Sequence, residues 1–130
     1  MISLGSRAHI FAPPHLRAEL IWCFGTVLGC GEPVSIPLPG VAEPVLGFRF
    51  PNGGSLSIEF TDDAPDSQPP HGGAWLELQT DDSAALRVKV LAAGLPQITH
   101  AGHDFYFAAP GGQVFSVEAT SPRTTRGAGT

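Results

Sequence analysis

The chain is short and acidic: its 130 residues carry 7 Lys and Arg against 12 Asp and Glu, a formal charge of −5, and 42% are hydrophobic. That length predicts one compact domain, and the acidic balance excludes a phosphate-binding surface for nucleic acid. The apolar stretch 20–31 is interrupted by Gly25 and Gly29 and is too short to span a bilayer. Without an apolar run after a basic start, the N-terminus is no secretory signal, so we expect a cytoplasmic protein that contacts no membrane.

The first half of the sequence predicts a strand, a helix and three further strands. The first strand covers residues 7–12. The helix has apolar residues three and four positions apart, and glycines at 29 and 31 end it; the apolar set is Leu16, Leu20, Phe24, Val27 and Leu28. Strands follow at 34–36, 45–50 and 55–60, and Pro51-Asn52-Gly53-Gly54 predicts a hairpin turn between the last two. Cys23 and Cys30 are expected to be free thiols.

The second half predicts the same order of elements. A strand at 74–80 precedes a helix that Asp81 or Asp82 caps and that Gly94 ends. The apolar stripe of this helix consists of Leu86, Val90 and Ala93. Strands are predicted at 97–100, 104–108 and 114–119, with a turn at 109–112 between the last two.

This internal repeat predicts the architecture. Repeat one covers 7–60, a linker covers 61–73 and repeat two covers 74–119, within one domain over 1–120 followed by a disordered tail at 121–130. We expect an α+β fold in which two βαβββ repeats pair into a curved mixed sheet, with a concave ligand face and helices on the outer face. The sequence leaves open whether the repeats pair within one chain or are exchanged between two chains.

The ordered motifs over 7–119 resemble the vicinal oxygen chelate superfamily. This superfamily includes glyoxalase I, extradiol dioxygenases, and fosfomycin- and bleomycin-resistance proteins. The resemblance rests on four segments: His9-Ile10-Phe11 through Val27-Leu28-Gly29, Leu76 through Asp82, Ala92 through Pro96, and Phe105 through Gln113. It implies the fold described above and a homodimer.

Enzymes of this superfamily hold a divalent metal through His or Gln, Glu, His and Glu. The resemblance places His9 and Glu59 at the first two positions, but Trp75 and Ser116 at the others. Tryptophan cannot ligate a metal, and two ligands do not hold one tightly. We therefore expect no cofactor and no metal, with His9 and Glu59 as the ligands if a divalent metal does bind, and we favour a protein that is not an enzyme.

Strand alternation places a candidate ligand site on the concave face. Its residues are His9, Phe11, Ser57, Glu59, Trp75, Glu77, Ser116 and Glu118. The opposite strand faces are apolar and suit packing under the helices: Leu56, Ile58, Phe60, Leu76, Leu78, Phe115 and Val117. Carboxylates beside aromatic rings favour a small organic ligand that is cationic or aromatic.

Three functions follow from these residues. We favour a binding protein similar to the bleomycin-resistance branch, with an incomplete metal site. The alternative is a metal-dependent lyase, isomerase or dioxygenase whose rearranged site uses His9 and Glu59 with Glu77, Glu118 or His103. A third is a module without a ligand, in which Trp75 fills the cavity. A metal-free enzyme with Glu59 or His9 as base is also open, as are the roles of His71, His100 and His103.

Overall fold

The chain forms two compact units, one for each predicted repeat. The structure, a computed structural model, describes residues 1–101 and 105–120. The first unit covers residues 1–68 and the second begins at residue 69. Each contains one four-stranded mixed sheet, so the α+β class and the two βαβββ repeats are confirmed. The tail predicted at 121–130 lies outside the described residues, as do His103 and the first residue of the strand predicted at 104–108.

The first unit follows the predicted order of elements. Its elements are β1 (Arg7–Ala12), a 3₁₀ turn (Pro14–Leu16), α1 (Arg17–Ile21), a π turn (Trp22–Val27), β2 (Val34–Ile36), β3 (Val45–Arg49) and β4 (Ser55–Phe60). The sheet order is β1-β4-β3-β2. The β1 and β4 strands pair in parallel, with His9 opposite Ser57, whereas the other pairs are antiparallel.

The second unit repeats this topology. Its elements are β5 (Leu76–Thr80), α2 (Ser83–Ala92), β6 (Gln97–Ile98), β7 (Tyr106–Ala108) and β8 (Val114–Ala119). The sheet order is β5-β8-β7-β6, with β5 and β8 parallel. Of the two candidate caps for α2, Asp82 is the one used: its Oδ1 accepts from the amide of Ala85 at 3.0 Å. Gly94 ends the helix at φ +81°.

The two hairpin turns share one hydrogen-bond pattern, which confirms the repeat in detail. In each, the residue before proline, Phe50 or Ala109, accepts from the amide three residues on, at 3.1 Å and 2.9 Å. Its own amide donates to the carbonyl four residues on, at 3.1 Å and 2.9 Å. Both turns contain two glycines at positive φ, where a side chain would be strained.

Each unit has its own apolar core, on the strand faces that alternation predicted. The buried face of β4 consists of Leu56, Ile58 and Phe60, and that of β8 includes Phe115 and Val117. Leu76 and Leu78 on β5 are half-buried. The Phe24 and Phe48 rings meet at 5.5 Å in the first unit, as do Phe107 and Phe115 in the second.

Several strands are shorter than predicted, and one difference changes the candidate site. The strand predicted at 74–80 begins at Leu76, so Trp75 lies just before it and does not share a strand face with Glu77. The carbonyl of Ala74 accepts from the side chain of Gln113 at 2.8 Å. The strand predicted at 97–100 ends at Ile98, and the one at 45–50 ends at Arg49. None of the described helices has the length and apolar character that a membrane crossing requires.

The first helical segment is not one regular α-helix. Five α-helical residues are followed by the wider π turn, in which Cys23, Phe24 and Val27 are buried. Cys23 and Cys30 are free, as expected, and burial raises their thiol pKa values to about 12 and about 11. The turn closes with the amide of Gly31 donating to the carbonyl of Gly25 at 3.0 Å.

This closure makes Gly25 a position that admits no side chain. A Cβ there would lie 2.9 Å from the carbonyl oxygen of Gly31, a backbone atom that cannot turn aside. We expect Gly25→Ala to lower the free energy of unfolding by about 1–3 kcal/mol in urea denaturation, the range for overpacked positions.

Gly5→Ala is the matched control, because a Cβ at Gly5 meets nothing within 4 Å. Gly5→Ala should change the free energy of unfolding by no more than about 0.5 kcal/mol. An unchanged urea midpoint for Gly25→Ala would contradict the close approach of Gly25 to Gly31.

Candidate functional site

The exposed face of the first sheet carries a connected polar group, which we call the His9 cluster: His9, Ser57 and Glu59. Parallel pairing places His9 of β1 directly opposite Ser57 of β4, with Glu59 two residues further on the same face. The His9 ring joins both: Nδ1 lies 2.6 Å from Ser57 Oγ and Nε2 lies 3.0 Å from Glu59 Oε1. The side chains of His9 and Glu59 are 41% and 27% exposed, so solvent reaches the cluster.

For a neutral His9 ring, the chemistry of the three groups gives the direction of both hydrogen bonds. A carboxylate only accepts, so His9 Nε2 carries a hydrogen and donates to Glu59. In the neutral imidazole, Nδ1 then has a free lone pair and accepts from the Ser57 hydroxyl. Phe11 stands beside the cluster with its ring edge-on to His9, centroids 5.1 Å apart. Four of the predicted ligand residues therefore meet in the first unit.

The described residues at the positions where the superfamily resemblance implies metal ligands do not form a metal-binding group. His9 and Glu59 are bonded to each other, and both ring nitrogens of His9 have partners. At the third position, Trp75 Nε1 is a donor without a lone pair and donates to the carbonyl of Pro70 at 2.5 Å. Within residues 1–101 and 105–120, no group of three or more His, Cys, Asp and Glu side chains could hold a metal.

The second unit carries an aromatic group, which we call the Trp75 cluster: His71, Trp75, His100 and Tyr106. The His71 ring stacks on the indole at 5.7 Å and 26°, and the His100 ring meets it edge-on at 5.0 Å. Tyr106 lies 4.9 Å from Trp75 and 5.4 Å from His100, measured between ring centroids. Trp75 itself is half-buried, so part of its indole surface faces solvent.

Acidic side chains lie on the strand faces next to this cluster. Tyr106 of β7 pairs with Ser116 of β8, which in turn pairs with Glu77 of β5. Glu118 follows Ser116 on the same face, opposite Gln79. Burial, and secondly the negative charge of Glu118, raise the pKa of the Tyr106 hydroxyl, because both disfavour the phenolate.

The sequence predicts eight candidate residues and omits part of the Trp75 cluster. The sequence predicts Tyr106 only as part of a strand, whereas its ring is 6% exposed and contacts Trp75 and His100. It assigns no role to His71 and His100, and both contact Trp75. Their positions in glycine-rich loops gave no periodic signal. One signal for Tyr106 was available: in the predicted hairpin it lies opposite Ser116, on the strand face that also carries Glu118.

Tyr106 is the one tyrosine of the chain, so its titration can be followed alone by absorbance at 295 nm. We expect a midpoint above the ordinary value of about 10. Glu118→Gln should lower the midpoint, because it removes a negative charge that disfavours the phenolate, while burial keeps it raised. Glu19→Gln, an exposed change on α1, is the control and should leave it unchanged. An unshifted Glu118→Gln titration would contradict this electrostatic contact.

No protein-family model and no curated protein matches the sequence, whereas many solved structures match the fold. A glyoxylase/bleomycin resistance protein/dioxygenase domain from Frankia sp. EAN1pec is similar with a TM-score of 0.70 and 14% identity, over 93% of this chain and 100% of that chain. Glyoxalase I of Leishmania major has a TM-score of 0.69 and 9% identity, over 94% and 90%.

The fosfomycin resistance protein FosX of Listeria monocytogenes has a TM-score of 0.65 and 13% identity, over 97% of this chain and 99% of that chain. A mutant of FosX was solved in complex with Mn(II) and 1S,2S-dihydroxypropylphosphonic acid. Together with the two βαβββ repeats, these likenesses establish that the chain has the fold of the glyoxalase/bleomycin resistance protein/dioxygenase superfamily.

Proposed function

We propose that this is a glyoxalase/bleomycin-resistance-like protein that binds a small, planar organic cation. The observation that carries the proposal is the Trp75 cluster, a half-buried indole surrounded by three further rings. Indole presents the most favourable aromatic face for a cation, and each such contact contributes about 0.5–2 kcal/mol. A planar ligand gains contact area on the same face through stacking.

The His71 ring marks where such a ligand would lie. It is exposed, comes from the segment before β5 and lies on the indole at only 26° from parallel. A planar cation of similar width can take this position when His71 turns into solvent. Because an exposed ring loses little on leaving, the exchange costs less than opening a buried pocket.

Charge supports a cation over an anion or a neutral ring. Glu77 and Glu118 lie on the face that also presents Ser116, and the chain as a whole carries a formal charge of −5. An acidic surface attracts cations and raises their rate of encounter. In the first unit, Phe11 beside Glu59 offers a second surface of the same chemistry, which we propose as a further ligand contact with His9 and Ser57.

The test compares N-methylquinolinium with quinoline, which has the same ring shape but is uncharged at pH 7.5, by isothermal titration calorimetry. We expect the cation to bind more tightly. Trp75→Ala should weaken its binding about tenfold or more, since a desolvated cation–π contact contributes about 2 kcal/mol. Glu77→Gln should lower the affinity for the cation and leave the affinity for quinoline unchanged.

Trp22→Ala is the matched control, because Trp22 is the other tryptophan and is exposed on the first unit. It should change the affinity less than twofold. Equal affinities for N-methylquinolinium and quinoline would overturn the proposal, as would equal losses of affinity in the Trp75→Ala and Trp22→Ala variants. So would a panel of planar cations that produces no heat of binding.

A metal-dependent lyase, isomerase or dioxygenase is the second candidate, favoured by the Mn(II) complex of FosX and by the retained pair His9 and Glu59. The donor set described above does not fit a metal, so we place this candidate second and derive no step through a metal. Mass spectrometry on protein purified without chelator decides between the two. If the protein holds about one metal ion per chain and His9→Ala holds none, the metal-dependent enzyme becomes the favoured candidate.

We further propose that the protein is a cytoplasmic homodimer. Strand β2 is at the edge of its sheet, and its Val34 and Ile36 side chains are 64% and 39% exposed. Exposed apolar side chains on an edge strand favour pairing with a second copy. Light scattering should give a molar mass of twice that of one chain. The Val34→Lys substitution should lower this mass to that of one chain. Val88→Lys, on an equally exposed valine of α2, should leave the dimer intact; a monomeric wild type would contradict the proposal.

A further inference from the structure

From the geometry of the His9 cluster we infer an activity beyond ligand binding: Ser57 is a nucleophile that accepts acyl groups from esters. The inference rests on the first unit alone and does not depend on the Trp75 cluster. Its basis is a chain of two hydrogen bonds, from Ser57 Oγ to His9 Nδ1 at 2.6 Å and from His9 Nε2 to Glu59 Oε1 at 3.0 Å. A nucleophilic site has three parts: a hydroxyl, a base in hydrogen-bond contact with it, and a carboxylate that orients the base.

The direction of the hydrogen bonds suits proton removal from serine. Glu59 accepts the Nε2 hydrogen, which leaves the Nδ1 lone pair directed at the Ser57 hydroxyl. Glu59 also stabilises the imidazolium that forms when His9 takes the proton. General-base assistance of this kind contributes about 10²–10⁴-fold to a rate.

The strands hold these groups in place. His9 and Ser57 are register partners in a parallel pair, and the face opposite them is anchored by Ile58, which is fully buried. Phe11 packs edge-on against the His9 ring. Since His9 and Glu59 are partly exposed, an ester can reach Ser57 from solvent.

The reaction balances with an ester and water as its only co-reactants. Ser57 Oγ attacks the ester carbonyl carbon while its proton moves to His9 Nδ1, and the bond from carbonyl carbon to the leaving oxygen breaks. The leaving oxygen takes the proton from His9, which gives an alcohol and acyl-Ser57. Water then attacks the acyl carbon and gives a proton to His9. Ser57 Oγ leaves as a carboxylic acid forms, and recovers its proton from His9.

The experiment treats the full chain with 4-nitrophenyl acetate and follows acetylation by intact mass and peptide mapping. We expect an initial burst in which one acetyl group appears on Ser57 as one equivalent of 4-nitrophenol is released, followed by slower release as water removes the acetyl group. His9→Asn should slow acetylation about 100-fold, because it removes the base. Glu59→Gln should slow it less, since it acts through His9.

Ser55→Ala is the matched control. Ser55 lies on the same strand and face as Ser57, but its register partner is Arg7 rather than a histidine. This variant should show the wild-type burst of 4-nitrophenol, whereas Ser57→Ala should lose the burst. If Ser57→Ala fails to fold, Ser57→Cys keeps a nucleophile at the same position and should acetylate in a His9-dependent manner.

Three results would overturn the inference. One is acetyl groups that map to Lys89 or the N-terminal amine and not to Ser57. Another is the same acetylation rate in the wild type and in folded His9→Asn. The last is an equal loss in the Ser55→Ala and Ser57→Ala variants. Each would show that the hydrogen bonds of His9 are only structural.

Discussion

The parallel pairing of β1 with β4 is the constraint on which the first unit depends. It brings together segments about fifty residues apart in sequence and fixes which residues lie side by side, with His9 opposite Ser57. A slip of one residue would turn every side chain to the other face, placing Ile58 in solvent and Glu59 in the core. Burial of the apolar face therefore sets the register, and the register then sets the geometry of the polar face. The same reasoning holds for β5 and β8 in the second unit.

The two units share a topology but differ in chemistry. On the exposed face of the first sheet, an imidazole joins a hydroxyl and a carboxylate through short hydrogen bonds. In the second unit, the corresponding region is dominated by rings around Trp75, with carboxylates on neighbouring strand positions. One topology thus carries a hydrogen-bonded polar group in one repeat and an aromatic group in the other. This matches the general observation that function is set by side chains placed on a fold rather than by the fold.

At the positions where the superfamily resemblance implies metal ligands, the residues present make other contacts. Tryptophan at position 75 has no lone pair to offer, and its Nε1 hydrogen is used in holding the indole against Pro70. His9 and Glu59 are the right residue types for a metal site, yet here each is the partner of the other. The Ser57 hydroxyl completes the hydrogen bonding of the His9 ring.

The sequence by itself determined the order of elements along the chain, the apolar faces, both glycine-containing hairpin turns and the alternation that places His9, Ser57 and Glu59 on one strand face. These features depend on local periodicity and turn chemistry, which short stretches of sequence encode. It also placed Trp75 in a strand, whereas β5 begins at Leu76 and the carbonyl of Ala74 accepts from the Gln113 side chain, 39 residues away. The π turn at 22–27, and the gathering of His71, His100 and Tyr106 around Trp75, were likewise decided only by tertiary structure. Such contacts join loops to strands across the unit, where no periodic pattern relates the partners, and they form only when the chain packs.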